Sequence, residues 1–335
     1  MENNNDSLMG MNQEEQPVSL NEVIVYPPKF EKSDQASAIW LRSIISLAAY
    51  LILGYYIFPN YFILLLITAI IMIHEMGHFL AMRYFRYNDL GIFFIPLLGA
   101  YVSGSKREVS QLQSAVILLA GPLPGIIIGI VLYLSGQNHE LYYFGVSLSR
   151  IGLLFIILNV INLFPVYPLD GGQLLNRVFL DEEGIWSKVF VFLSAAFMSW
   201  LAIKIPFYLL LIFPAMMLFR FFGEQKFGPI EKKIEAEGIN TDIDYADLPD
   251  EDYWKIRNIL IEENPSFRDV PPSPPFEYSH KEDKIMSMVQ SLLHRHLIQD
   301  VSIAGKILIF LLWAAAIATP WLIDMDMSFF KRIGF

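Results

Sequence analysis

Residues 71–80 read Ile-Met-Ile-His-Glu-Met-Gly-His-Phe-Leu, a His-Glu-x-x-His pattern inside an apolar run. Tyr61 to Ile73 carries no charged residue, so the stretch reads as a helix in hydrocarbon. On a helix, His74 and His78 fall on one face, at a spacing that lets both imidazoles reach one metal ion. Glu75 is the next residue round, placed to take a proton from a water activated there. The alternative is a pair of hydrogen-bonded core histidines. Burial in hydrocarbon weighs against it, because satisfying three ionisable groups there takes a cation or an extended polar network.

The composition agrees with a membrane protein. Of 335 residues, 54% are hydrophobic and 17% charged. There is no cysteine, which excludes disulfides and thiolate metal sites and leaves His, Asp and Glu as donors. The net charge of −10 argues against nucleic acid as a partner. Acidic residues concentrate at residues 1–39, with seven acids and two bases, and at 223–303, with seventeen acids and nine bases.

Apolar stretches predict spans near 38–58, 61–84, 112–134, 146–165, 186–203, 205–222 and 304–324. Four units follow: a disordered acidic tail over 1–37, a membrane unit over 38–222, an acidic soluble segment over 223–303, and a last span with its tail over 304–335. Arg83, Arg86, Lys106, Arg107, Arg177, Lys188, Arg220 and Lys226 all fall on one side if the N-terminus is cytoplasmic. Lys204 and Lys331-Arg332 fall on the other. His74 then lies towards the cytoplasmic end of its span.

Gly91 to Gly104 is apolar, β-prone and about half the length needed to span, with Pro96 and Gly99 as punctuation. It reads as a short hairpin dipping in from the cytoplasmic face, or as a buried structural plug. Pro271 to Pro275 reads as a stiff spacer, and Lys281 to Gln299 as a helix. His294 and His296, two apart, would not face one another on it, so they read as solvated surface, as do His139 and His280.

At the end of the fourth span the chain reads Asn162-Leu-Phe-Pro165-Val-Tyr-Pro168-Leu-Asp170-Gly171-Gly172-Gln173. A single Asp in a proline-broken membrane helix fits a third metal ligand, and equally fits the N-cap of a new helix.

His-Glu-x-x-His on one span and Asn-x-x-Pro-x-x-Pro-x-Asp-Gly on a later one together resemble the site-2 protease family of intramembrane zinc metalloproteases. The resemblance covers roughly residues 40–222. It implies an all-α polytopic fold, a six-helix core with a small re-entrant β-hairpin, here with an extra C-terminal transmembrane helix. It implies one zinc ion held by His74, His78 and Asp170, with Glu75 as general base and Asn162 in the polar site beside the substrate. Pro96-Leu-Leu-Gly-Ala-Tyr-Val is similar, one residue shifted, to the family's hairpin pattern. Gly99, Ala100, Tyr101 and Val102 would then present a strand edge to a transmembrane protein substrate bound as an extended strand. Ala120-Gly121-Pro122 also matches the family, whereas Pro124-Gly125 stand where an Asn is usual. The function implied is hydrolysis of peptide bonds of membrane proteins within the bilayer, in the cell's inner (plasma) membrane. A proteolytically inactive relative that binds single-pass membrane proteins or metal is the alternative.

Overall fold

A computed structural model describes residues 25–31, 36–57, 60–96, 98–106, 109–138, 141–180, 184–205, 208–293 and 297–325. Among them, five helical stretches are long and apolar enough to cross a membrane: Ile39–Ile57, Tyr61–Tyr84, Gln111–Gln137, Ile185–Lys204 and Ile303–Leu322. The fourth and sixth expected spans are shorter apolar helices, Leu148–Asn162 and Tyr208–Phe219. The chain is thus a mostly helical polytopic membrane protein with a small antiparallel hairpin.

Helix α1 spans Ala36–Ile57 and helix α2 spans Tyr61–Tyr84. Asn60 caps α2, its side chain accepting from the Phe62 N–H at 2.9 Å and satisfying a free helix N-terminus. Strands β1 (Asn88–Ile95) and β2 (Gly99–Ser105) form an antiparallel hairpin. Aromatic and β-branched residues favour the strands, and Gly99 takes φ +115 at the turn, where a side chain would be strained. The hairpin lies against α1 and α2: Phe94 packs with Tyr50 and Leu64, and its N–H donates to Ser46 Oγ at 3.1 Å.

Helices α3 (Gln111–Ala120) and α4 (Pro122–Asn138) form one span with a break at Gly121. Pro122 opens α4, where its missing N–H costs nothing. Helix α5 (Leu148–Asn162) packs on α4. Beyond it the chain runs irregularly past Pro165 and Pro168 into a short helix α6 (Asp170–Leu174). Helix α7 (Ile185–Lys204) follows.

Helix α8 (Ile212–Ala236) runs from the apolar region into a folded soluble unit. Helices α9 (Asp250–Glu263) and α10 (Glu282–Leu292) build its core around Tyr253, Trp254, Leu260, Phe267, Ile285 and Val289. Two expectations change here. The helix expected over 281–299 ends at Leu292, and Leu297–Ile298 pairs in parallel with Val109–Ser110. The proline run is no free spacer. Asn258 and Ser273 exchange two hydrogen bonds, at 2.7 and 2.8 Å, and Arg257 reaches Ser273 Oγ at 3.1 Å. His294 and His296, with His139, lie outside the described residues. His280 is an exposed partner of Asp269, at 3.4 Å.

Within the stretch expected to be a disordered tail over 1–37, residues 25–31 have packed neighbours. Residues 25–31 run along the soluble unit, Lys29 N–H donating to Asp250 Oδ1 at 2.7 Å. Helix α11 (Ile303–Leu322) packs on the membrane unit, where Trp313 Nε1–H donates to Leu163 O at 2.8 Å and satisfies a carbonyl at the broken end of α5.

Candidate metal centre

The site is built on α2. One turn separates His74 from His78, and both side chains face the interior, as does Glu75, 6% exposed. Asp170 arrives from the other half of the membrane unit. The break at Pro165 and Pro168 frees the chain to turn back, and Gly171 lets α6 pack hard onto the end of α5, since a Cβ there would lie 1.8 Å from Leu163 O. Asp170 is the first residue of α6, and the N-cap position belongs to Leu169. Its carboxylate, 12% exposed, is turned to the histidines.

Three donor atoms converge. His74 Nε2 and His78 Nε2 lie 3.1 Å apart. Asp170 Oδ2 lies 3.0 Å from His74 Nε2 and 3.2 Å from His78 Nε2. A tetrahedral zinc ion with ligands at about 2.0–2.1 Å sets its donors roughly 3.3 Å apart, so this triangle fits one zinc with a fourth position left over. Among the described residues, His74, His78 and Asp170 are the one group of His, Asp or Glu placed to hold a metal.

The tautomers agree with that use. His78 Nδ1 lies 2.8 Å from Ile117 O, an atom that can only accept, so Nδ1 carries a hydrogen and, in the neutral ring, Nε2 is the nitrogen left to bind a metal. His74 Nδ1 lies 2.8 Å from Asn159 Oδ1. Asn159 donates through Nδ2 to Phe155 O at 2.8 Å, which turns its oxygen to the imidazole. With both rings neutral, two imidazole nitrogens and a carboxylate oxygen face one another, an arrangement that a bound cation would stabilise.

Small residues make room. A Cβ on Gly121 would sit 2.3 Å from His78 Nε2, and one on Gly125 2.2 Å from Asn159 Nδ2. The Pro124-Gly125 departure noted in the sequence is therefore where Asn159 enters. Asn159, 1% exposed, is the functional residue that sequence reasoning missed. It is the one polar residue in Ile151–Ile161, which was signal enough. Asn162 lies a turn further on, partly buried, and donates to Leu158 O at 3.1 Å. Gly99 to Val102 all lie on β2, and Tyr101 is 48% exposed.

These apolar helices and this donor set define the class, a multi-pass membrane protein with a candidate metal site between its helices. Comparison with known proteins is more specific. The profile of peptidase family M50 matches residues 61–145. A zinc metalloprotease of Methanocaldococcus jannaschii is 29% identical over 190 residues, 54% of this chain and 54% of that one. Stage IV sporulation protein FB of Bacillus subtilis is 26% identical over 119 residues, 36% of this chain and 41% of its own. A putative zinc metalloprotease of Synechocystis is 27% identical over 146 residues, 42% of this chain and 38% of its own. The chain thus spans about half the length of the curated relatives it matches, or less. Among solved structures, a site-2 protease from Methanocaldococcus jannaschii matches with a TM-score of 0.40 and 22% identity, over 53% of this chain and 85% of that one. These matches support a likeness to peptidase family M50, the site-2 protease family, over residues 61–145.

Proposed function

We propose that this protein is an intramembrane zinc endopeptidase that hydrolyses peptide bonds of membrane-protein substrates. The observation that carries the reading is the triangle of His74, His78 and Asp170 donors at zinc-like spacing, on apolar helices. Bound there, zinc would polarise the scissile carbonyl and activate water.

The chain's own residues do the rest. Asn159 and Ile117 O hold the two imidazoles with Nε2 free. Glu75 accepts the proton of the attacking water and passes it to the leaving amine. Among the described residues its buried carboxylate makes no hydrogen bond or ion pair, which leaves it available for that traffic. The hairpin holds the substrate. A transmembrane helix hides its carbonyls in its own hydrogen bonds, and each one lost in an apolar site costs several kcal/mol unless replaced. The outer edge of β2, unpaired among the described residues, replaces them with main-chain bonds. The basic side of the membrane unit is cytoplasmic, and water enters the site from there.

The test is metal content. Wild type should hold one zinc per chain, and His74→Ala, His78→Ala and Asp170→Ala should each hold much less. Full zinc in a folded Asp170→Ala variant would overturn the ligand assignment.

A further inference from the structure

The N-terminal segment reads Tyr26-Pro27-Pro28-Lys29-Phe30, and its contacts are of an unusual kind. Three of its carbonyls accept hydrogen bonds from side chains of the soluble unit. Trp254 Nε1–H donates to Pro27 O at 2.8 Å, Tyr278 O–H to Pro28 O at 2.6 Å, and Tyr245 O–H to Phe30 O at 2.6 Å. The Lys29 ammonium donates to the carbonyls of Ala246 and Leu248, at 2.5 and 2.8 Å. The ends of the segment are clamped by rings. Tyr26 meets Phe276 edge-on at 5.3 Å, and Phe30 meets Tyr278 edge-on at 5.4 Å. Tyr278 stacks on Trp254 at 5.8 Å, and the Arg257 guanidinium lies 5.0 Å over the Trp254 ring.

That pattern is what a reader of proline-rich peptides needs. Prolines lock φ and bring no N–H, so such a segment is stiff before it binds and can be recognised only through carbonyls and apolar faces. Rings with an O–H or N–H at the rim supply both. The segment makes no helix and no strand pairing here, so side-chain contacts from the unit, not a backbone ladder, hold it.

We propose that the soluble unit, residues 237–293, is a recognition module for extended aromatic-Pro-Pro-Lys-aromatic segments, and that its ligand is the chain's own Tyr26–Phe30, held in cis. The consequence is mechanical. Helix α1 begins at Ala36, a few residues beyond the docked segment, and packs on β1 through the Phe94–Ser46 hydrogen bond. Docking therefore tethers the head of the helix that flanks the hairpin. Tethering supplies a local ligand concentration of about millimolar, so a separate peptide competes poorly unless the resident segment is weakened.

The experiment uses the full chain in detergent and a fluorescent peptide, Ile-Val-Tyr-Pro-Pro-Lys-Phe-Glu-Lys, followed by anisotropy. Replacing the resident segment's key residues, Pro27→Gly with Pro28→Gly and Lys29→Ala, should raise affinity for the peptide at least tenfold over wild type. A scrambled peptide should not bind, and adding Tyr278→Phe should weaken the specific one several-fold. Docking is followed separately. The chain has no cysteine, so spin labels at Val25→Cys and Glu262→Cys report one distance. Wild type should give a single narrow distance, and the triple variant a broad one. Equal binding of both peptides, or of neither, would overturn the proposal, as would a narrow distance that survives the triple change. A distance that vanishes on dilution with unlabelled chain would show exchange between two copies and overturn docking in cis. None of these readouts depends on peptide cleavage.

Discussion

Asn159 hydrogen-bonds only one imidazole and one carbonyl among the described residues, yet it decides which nitrogen of His74 is free. Replacing such an outer partner of a metal ligand typically costs 10- to 100-fold in metal affinity or activity. Asn159→Leu should therefore lower zinc affinity by about that factor in a chelator competition, and Asn162→Ala should change it far less. Equal effects would move the orienting role elsewhere. Gly121→Ala tests the same geometry from the other side: a Cβ 2.3 Å from His78 Nε2 must push the ring away, so zinc content should fall with the fold intact. At this scale the sequence was informative. His74, Glu75, His78 and Asp170 stand out because ionisable groups are rare in apolar runs. The same reasoning applied to Ile151–Ile161 would have found Asn159, but the neighbouring Asn162 already filled the motif.

The hairpin was legible as an element, since a run of aromatic and β-branched residues too short to span has few other uses. Its register was not legible, and register decides which edge groups are free. Phe93 pairs with Tyr101, Phe94 with Ala100, and Ile92 with Val102. The Phe94 N–H leaves the ladder for Ser46 Oγ, so the Phe94–Ala100 pair does not exchange hydrogen bonds. Pairs alternate, so the N–H groups of Ala100 and Val102 point outward, whereas that of Tyr101 points into β1. Val102→Pro thus removes an edge donor and spares the hairpin, and Tyr101→Pro breaks the hairpin's own ladder. Val102→Pro should keep its zinc and cleave helical membrane substrates far more slowly, with a smaller loss on short flexible peptides. An unchanged ratio of the two rates would make the hairpin a structural plug. The ends of α5 and the start of α11 belong to this scale too. The sequence places the last span outside the membrane unit, but Trp313 completes the broken end of α5. That bond joins residues 150 apart, which no local pattern reveals.

At the scale of the molecule, the acidic segment is a folded unit with an ion pair inside it. Arg257 and Glu282 are 0% and 1% exposed and paired through Nε–Oε1 at 2.8 Å and Nη2–Oε2 at 3.2 Å. Burial pushes the Glu282 carboxyl up. Hydrogen bonds from Arg257, from Tyr253 at 2.6 Å and from the Ser279 N–H at 3.0 Å outweigh it and hold the group below the usual carboxylate range. A lowered folded-state value contributes stability above the unfolded value, about 4.3, that is lost as pH falls through the folded one. This unit should thus lose stability on acidification below about pH 4.3, and Glu282→Gln should flatten that dependence in circular dichroism melts. Arg257→Met leaves a buried carboxylate without its cation and should cost roughly 3–5 kcal/mol. None of this was legible as composition, which shows a charged, proline-rich stretch and not which of its charges are paired inside. The unit supplies no atom to the metal triangle, so a chain lacking it but keeping α11 should still load zinc.

In the proposed mechanism Glu75 moves the proton while His74, His78 and Asp170 hold the metal. Glu75→Gln is nearly isosteric and deletes only the base. Its rate on a helical transmembrane substrate in proteoliposomes, at matched zinc content, is the direct test. Wild-type zinc and a rate lower by about 10²–10⁴-fold or more are expected. Wild-type cleavage by zinc-loaded Glu75→Gln would contradict this mechanism.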